Sequence, residues 1–139
     1  MVAIMIILFL AAIIIFLIYP KRCTKTQEMI LDGVNYAHRG LHSKDKSVPE
    51  NSISAFRLAV EKGYGIELDV ILSKDGEVMV FHDDTLERIC GISRNFEECT
   101  LRELKQMKLC NTAEEIPTFQ EVLNIVDEKV PIIIEVKSG

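Results

Sequence analysis

The sequence predicts an α/β fold, and three observations carry that prediction. Short β-branched runs alternate with stretches of helical period along the polar part of the chain, as they do in strand-helix units. Two Thr-x-x-Glu capping boxes, Thr100 with Glu103 and Thr118 with Glu121, each head a periodic apolar stripe and so mark helix starts. Pro131–Val136 holds Ile132, Ile133 and Ile134 in a row, the unbroken apolar character of a strand covered on both faces, as parallel strands beneath helices are.

The first segment is of a different kind. All 19 residues of Met1–Tyr19 are apolar or aromatic, and the 18 from Val2 to Tyr19 would make about 27 Å of helix, close to the hydrocarbon thickness of a bilayer. No positively charged region precedes the run, and Tyr19-Pro20-Lys21-Arg22 follows it in place of a small-residue cleavage site. The expectation is an uncleaved single-pass transmembrane anchor over residues 1–20, with a buried core helix as the alternative. The basic cluster Lys21, Arg22 and Lys25 then places the domain beyond it in the cytoplasm. A polar linker over 21–33 leads to the domain at 34–139.

After the anchor, 119 residues carry all 37 charged side chains and are about 40% apolar, ordinary for a globular domain. Disorder, collagen and coiled coil are excluded. Cys23, Cys90, Cys99 and Cys110 form no CxxC and no Cys/His ladder, so free thiols are expected rather than a zinc knuckle or a disulfide framework. A net charge of −5 with no basic patch beyond the juxtamembrane cluster argues against nucleic acid as a partner.

Within the domain, Val34–His38 is an apolar run that stops at His-Arg-Gly, as a strand feeding a functional loop does. Ser52–Lys62 follows with Ile53, Phe56 and Val60 on one helical face, Asn51 or Ser52 as N-cap and Gly63 as the stop. Gly65–Leu72 alternates Ile66, Leu68 and Val70 against Glu67, Asp69 and Ile71. The Lys74-Asp75-Gly76 turn signal then precedes a second run, Glu77–Phe81, and taken by itself indicates a hairpin.

Residues two apart on a strand share a face, so Glu67 and Asp69 project together, away from Ile66, Leu68 and Val70. On a solvent-facing side this is merely a polar strand face. On an enclosed side the two carboxylates are costly unless a cation lies between them, and hard oxygen ligands suit Mg²⁺ or Ca²⁺. Glu135 and Lys137 protrude together in the same way, either as a neighbouring ion pair or as part of a site. His38 and His82 each end an apolar run, followed by Arg39 and Asp83; each alone would be a hydrogen-bonded loop residue. In a sheet of parallel strands the carboxyl ends share one side, and these residues become a constellation there.

The ordered motifs His38-Arg39-Gly40, Pro49-Glu50-Asn51-Ser52, Glu67-Leu68-Asp69-Val70, Lys74-Asp75-Gly76, His82-Asp83-Asp84-Thr85-Leu86-Glu87-Arg88, Ile116-Pro117-Thr118-Phe119 and Ile134-Glu135-Val136-Lys137 resemble the signatures of the glycerophosphodiester phosphodiesterase family. Ser52 stands where that family usually has Thr, and Ile89-Cys90 where it is commonly Thr-rich. The resemblance implies part of a TIM (β/α)₈ barrel, about its first four strands, because a whole barrel takes about 250 residues. It implies a divalent cation, Ca²⁺ or Mg²⁺, on Glu67, Asp69 and Glu135. His38 and His82 would be general base and general acid, Arg39 and Lys137 would hold the phosphate, Glu50 and Asn51 would support the loop after His38, and Asp83 would orient His82. It also implies that the segments holding Asp69 and Val78 run parallel, joined by a short extended return.

The activity so implied is hydrolysis of a glycerophosphodiester or lysophospholipid-like substrate to glycerol 3-phosphate and an alcohol, through a cyclic phosphate. A phospholipase of the same superfamily, of the phosphatidylinositol phospholipase C or sphingomyelinase D type, is an alternative that Glu67, Asp69 and the two histidines do not separate from it. A catalytically inactive, membrane-tethered half-domain is the non-enzymatic alternative. Open edges of a half-barrel would favour self-association.

Overall fold

The structure, a computed structural model, describes residues 2–18, 24–25 and 31–137. They belong to two compact units, Met1–Asp32 and Gly33–Gly139. In the first unit Val2–Ile18 forms one uninterrupted helix, α1. Its 17 residues rise about 25 Å. Among the described residues no helix is long and apolar enough to cross a membrane, so the expected transmembrane span is not supported. Tyr19, which completes the apolar run, lies outside the described residues, as do Pro20, Lys21, Arg22, Cys23 and most of the 21–33 linker.

The second unit is built from β1 (Tyr36–His38), α2 (Ile53–Glu61), β2 (Gly65–Leu72), β3 (Val78–Val80), α3 (Glu87–Cys90), α4 (Leu101–Leu104), α5 (Phe119–Val126) and β4 (Ile132–Val136). Short 3₁₀ turns at Phe96–Glu98 and Leu109–Asn111 complete it. Ser52 caps α2 by accepting from the Ala55 amide at 3.2 Å. Both capping boxes form, each Thr hydroxyl accepting from the backbone of the third residue on while that Glu accepts from the Thr amide. The helix after Thr100 is nevertheless a single turn.

The sheet is organised on β2. β1 pairs parallel with its beginning, from Tyr36 against Gly65 to His38 against Glu67. β4 pairs parallel along the other edge, from Ile66 against Ile132 to Val70 against Val136. β3 pairs antiparallel with the end of β2, from Val70 against Val80 to Leu72 against Val78. The parallel arrangement implied for this pair is therefore incorrect, and the hairpin that Lys74-Asp75-Gly76 indicated is present. The turn closes through local bonds: the Ser73 hydroxyl donates to Asp75 at 2.7 Å, the Glu77 amide donates to that hydroxyl at 2.9 Å, and Gly76 takes φ +85°.

Alternation along β2 sorts its side chains into two environments. Ile66, Leu68 and Val70 pack against Phe56 and Ala59 of α2 and Val122 and Val126 of α5. Ile71 points to the opposite face, into a second cluster with Met79, Phe81, Leu86, Ile89, Phe96 and Leu104 beneath the hairpin. Phe81 and Phe96 stack there at 4.9 Å. Each such buried side chain contributes roughly 1.5–3 kcal/mol.

β4 departs from expectation. Its isoleucine run predicts cover on both faces, yet Ile133, Ile134 and Val136 are 41, 45 and 78% exposed. Registered with Leu68 and Val70, Ile134 and Val136 lie on the helix-bearing side of the sheet. α2 and α5 on that face seal Ile66 and Leu68 and partly cover Ile132, but leave Ile134 and Val136 exposed.

Candidate active site at the ends of the parallel strands

The carboxyl ends of β1, β2 and β4 lie side by side and carry His38, Glu67 with Asp69, and Glu135 followed by Lys137. Asp69 lies directly opposite Glu135 in the β2–β4 register. Glu67, Asp69 and Glu135 each bring a carboxylate oxygen within 4.8 Å of the other two. Asp69 is 1% exposed, so the carboxylate pair of β2 belongs to the enclosed case, not to a solvated polar face.

Two basic side chains reach this acidic group. Lys137 Nζ lies 2.6 Å from Glu135 Oε1 and 3.5 Å from Asp69 Oδ1. The hydrogen bond to Glu135 raises the lysine pKa, and the same bond lowers that of Glu135. Arg39 places Nη1 at 2.7 Å from Glu50 Oε1 and Nε at 3.3 Å from Asp69 Oδ2. The backbone aims it: Arg39 is left-handed, at φ 58°, and its amide donates both to the Glu67 carbonyl at 2.9 Å and to Glu67 Oε2 at 3.1 Å. Asn51, also left-handed at φ 53°, donates its amide to the Arg39 carbonyl at 2.9 Å and its side chain to Asp69 Oδ2 at 3.2 Å. Such conformations cost of order 1–3 kcal/mol each and persist where surrounding bonds over-determine them.

The histidines flank this group from two directions. His38 is exposed, with Nε2 3.9 Å from Glu67 Oε2. His82 arrives by an indirect route. β2 runs past Asp69 to Leu72, the hairpin reverses, and β3 returns until the Phe81 amide donates to the Asp69 carbonyl at 3.1 Å. His82 is thus delivered to the level of Asp69 by an antiparallel strand. Its Nδ1 is 2.6 Å from Asp83 Oδ1.

Arg88, to which the sequence motifs assign no role, links these parts. Its guanidinium donates to both oxygens of Asp83, at 2.6 and 2.9 Å, and to both oxygens of Glu50, at 2.8 and 2.9 Å. The Arg88 hydrogen bonds hold the Glu50 carboxyl at about 2 against the opposing effect of burial, with Arg39 adding to them. Burial pushes the Asp83 carboxyl up, but hydrogen bonds from Arg88 and His82 outweigh it and leave the group below its usual range. The only hint in the sequence was position: Arg88 closes the motif that His82 opens.

The donor set suits a hard divalent cation. Five carboxylates, of Glu50, Glu67, Asp69, Asp83 and Glu135, meet three basic side chains, of Arg39, Arg88 and Lys137, an excess of two negative charges. Asp69 Oδ1 and Asn51 Oδ1 are buried without a hydrogen-bond partner among the described residues. Buried oxygens left so are costly unless they face a cation or another donor.

A mixed sheet whose parallel strands bring clustered carboxylates and two imidazoles to one rim defines the class: an α/β fold similar to that of α/β-barrel hydrolases, with an acidic cluster that could hold a metal ion. The glycerophosphoryl diester phosphodiesterase family model matches residues 38–139, and the chain belongs to that family. A glycerophosphodiester phosphodiesterase of Caldanaerobacter subterraneus is 41% identical over 111 residues, which cover 74% of this chain and 44% of the relative. The crystal structure of a Thermotoga maritima glycerophosphodiester phosphodiesterase superposes with a TM-score of 0.64 at 39% identity, covering 76% of this chain and 44% of that one. An Oleispira antarctica phosphodiesterase in complex with the product sn-glycerol-3-phosphate superposes with a TM-score of 0.67 at 31% identity, covering 75% of this chain and 44% of that one. The chain spans less than half the length of these relatives.

Proposed function

We propose that the site performs metal-dependent hydrolysis of glycerophosphodiesters to glycerol 3-phosphate and an alcohol. The observation that carries this is the convergence of Glu67, Asp69 and Glu135, from adjacent strands, within 4.8 Å of one another beside two histidines. Membership of the family and a relative bound to sn-glycerol-3-phosphate support the same choice of substrate. Ca²⁺ or Mg²⁺ on the three carboxylates would supply positive charge at the non-bridging phosphate oxygens.

The residues of this chain then divide the work. Arg39 and Lys137 offset the phosphate charge, which grows at those oxygens as phosphorus is attacked. His38 takes the proton of the glycerol 2-hydroxyl as that oxygen bonds to phosphorus. With Asp83 accepting from Nδ1, His82 presents Nε2 and gives a proton to the departing alcohol oxygen. Water then opens the cyclic phosphate with the proton transfers reversed, leaving glycerol 3-phosphate. Asn51 and Glu50 hold the Arg39 turn in place.

The test is release of glycerol 3-phosphate from glycerophosphocholine by the purified chain. Turnover that requires Ca²⁺ or Mg²⁺, stops with EDTA and falls about 10²–10⁴-fold in His38→Ala supports the proposal. No turnover of any diester by folded, metal-loaded protein contradicts it and favours the inactive half-domain.

We also propose that the apolar run Met1–Tyr19, of which α1 is the described part, attaches the protein to lipid. Every residue of it is apolar, and Leu8, Phe9, Phe16 and Leu17 are well exposed. Extraction by alkaline carbonate without detergent would contradict this.

A further inference from the structure

We propose that Arg88 is a positioning residue for the general acid, acting through Asp83 and Glu50; the inference rests on the phosphodiesterase reading above. The guanidinium makes four hydrogen bonds of 2.6–2.9 Å, two to each carboxylate. Asp83 Oδ1, which accepts from Arg88 Nη2 at 2.9 Å, lies 2.6 Å from His82 Nδ1. Glu50 Oε1, which accepts from that same Nη2 at 2.8 Å, is 2.7 Å from Arg39 Nη1. One planar group therefore ties the loop that aims Arg39 to the loop that aims His82.

Arg88 is itself 46% exposed, but its partners are not. Asp83 and Glu50 are only 18 and 17% exposed, and both are bound in the two-pronged manner in which Arg–carboxylate pairs gain strength. The helix bearing Arg88 is itself fixed, since Leu86 and Ile89 on either side sink into the core at 0 and 5% exposure. With its charge spent on two carboxylates, Arg88 is arranged to act on His82 and Arg39, not on phosphate directly. Lysine, a single point charge, cannot bridge both carboxylates in this geometry.

The test compares Arg88→Met, Arg88→Lys and Asp83→Asn with wild type, together with Arg94→Met, which removes a comparable arginine paired with Glu103 away from the site. Both Arg88 variants should lower kcat about 10- to 100-fold, the scale at which misplacement of a reacting group acts, with KM changing far less. Arg88→Met combined with Asp83→Asn should be no worse than the poorer single variant, and Arg94→Met should match wild type. Nitrogen NMR of the His82 ring, which needs no turnover, should show Nδ1 protonated in wild type and a mixture of tautomers in Arg88→Met. Wild-type kcat in Arg88→Met with an unchanged His82 tautomer overturns the proposal, as does a raised KM with kcat intact. If wild type itself fails to turn over, the phosphodiesterase reading fails while the NMR comparison still decides the role of Arg88.

Discussion

Replacing Gly40 by alanine should destabilise the protein far more than replacing Gly76, although both glycines are left-handed, at φ +79° and +85°. A Cβ in that backbone region costs roughly 1–2 kcal/mol, of which about 0.4–1 is returned through the less flexible unfolded chain. At Gly76 nothing lies within 4 Å of the added carbon, so the net loss there should be about 1 kcal/mol. At Gly40 the same carbon would lie 2.9 Å from Ala55 Cβ, 3.0 Å from Ala55 C and 3.0 Å from Phe56 Cδ1. Ala55 and Phe56 are fully buried, and one of the contacts is backbone, so α2 itself must shift. Overpacking of that kind adds roughly 1–3 kcal/mol, for a total near 2–4. At about 4–8 °C per kcal/mol for a domain of this size, Tm by circular dichroism should fall about 8–32 °C in Gly40→Ala and about 4–8 °C in Gly76→Ala. Equal shifts in the two variants would refute the packing part of this reasoning.

Other outcomes follow from the same structure. Ser52→Ala removes both the N-cap of α2 and a 2.7 Å bond to the Pro49 carbonyl, and should cost about 1 kcal/mol in denaturant unfolding. Glu50, held at about 2 against an ordinary 4.5, contributes stability that is present above about pH 4.5 and lost as pH falls towards 2. The gap in Tm between wild type and Glu50→Gln should therefore narrow over that interval, and a constant gap would contradict the assignment. Ile134→Lys, on the uncovered side of β4, should lower self-association measured by light scattering if that strand is an adhesive edge.

Features set by neighbours in sequence were legible before the structure; those set by distant contacts were not. The capping boxes at Thr100 and Thr118 bond residues three apart, and the Lys74-Asp75-Gly76 turn closes within five, so composition alone reveals them. That turn implies the antiparallel direction β3 has, whereas the family resemblance implies a parallel one. The face shared by Glu67 and Asp69 follows from strand periodicity, but its enclosure depends on Asn51, Arg39 and Lys137 arriving from other segments. Arg88 stayed hidden for the same reason: its partner Glu50 is 38 residues away. An isoleucine run states that β4 is apolar, whereas burial also requires something to cover it.

Direct titration with Mn²⁺, a spectroscopic stand-in for the divalent ion, tests the central claim most closely. Wild type should show a single saturable site by electron paramagnetic resonance, competed by Mg²⁺ or Ca²⁺ and lost in Asp69→Asn and in Glu135→Gln alike, because each strand supplies a ligand. Undiminished Mn²⁺ binding in both variants, or no saturable binding in folded wild type, would contradict a cation held between β2 and β4.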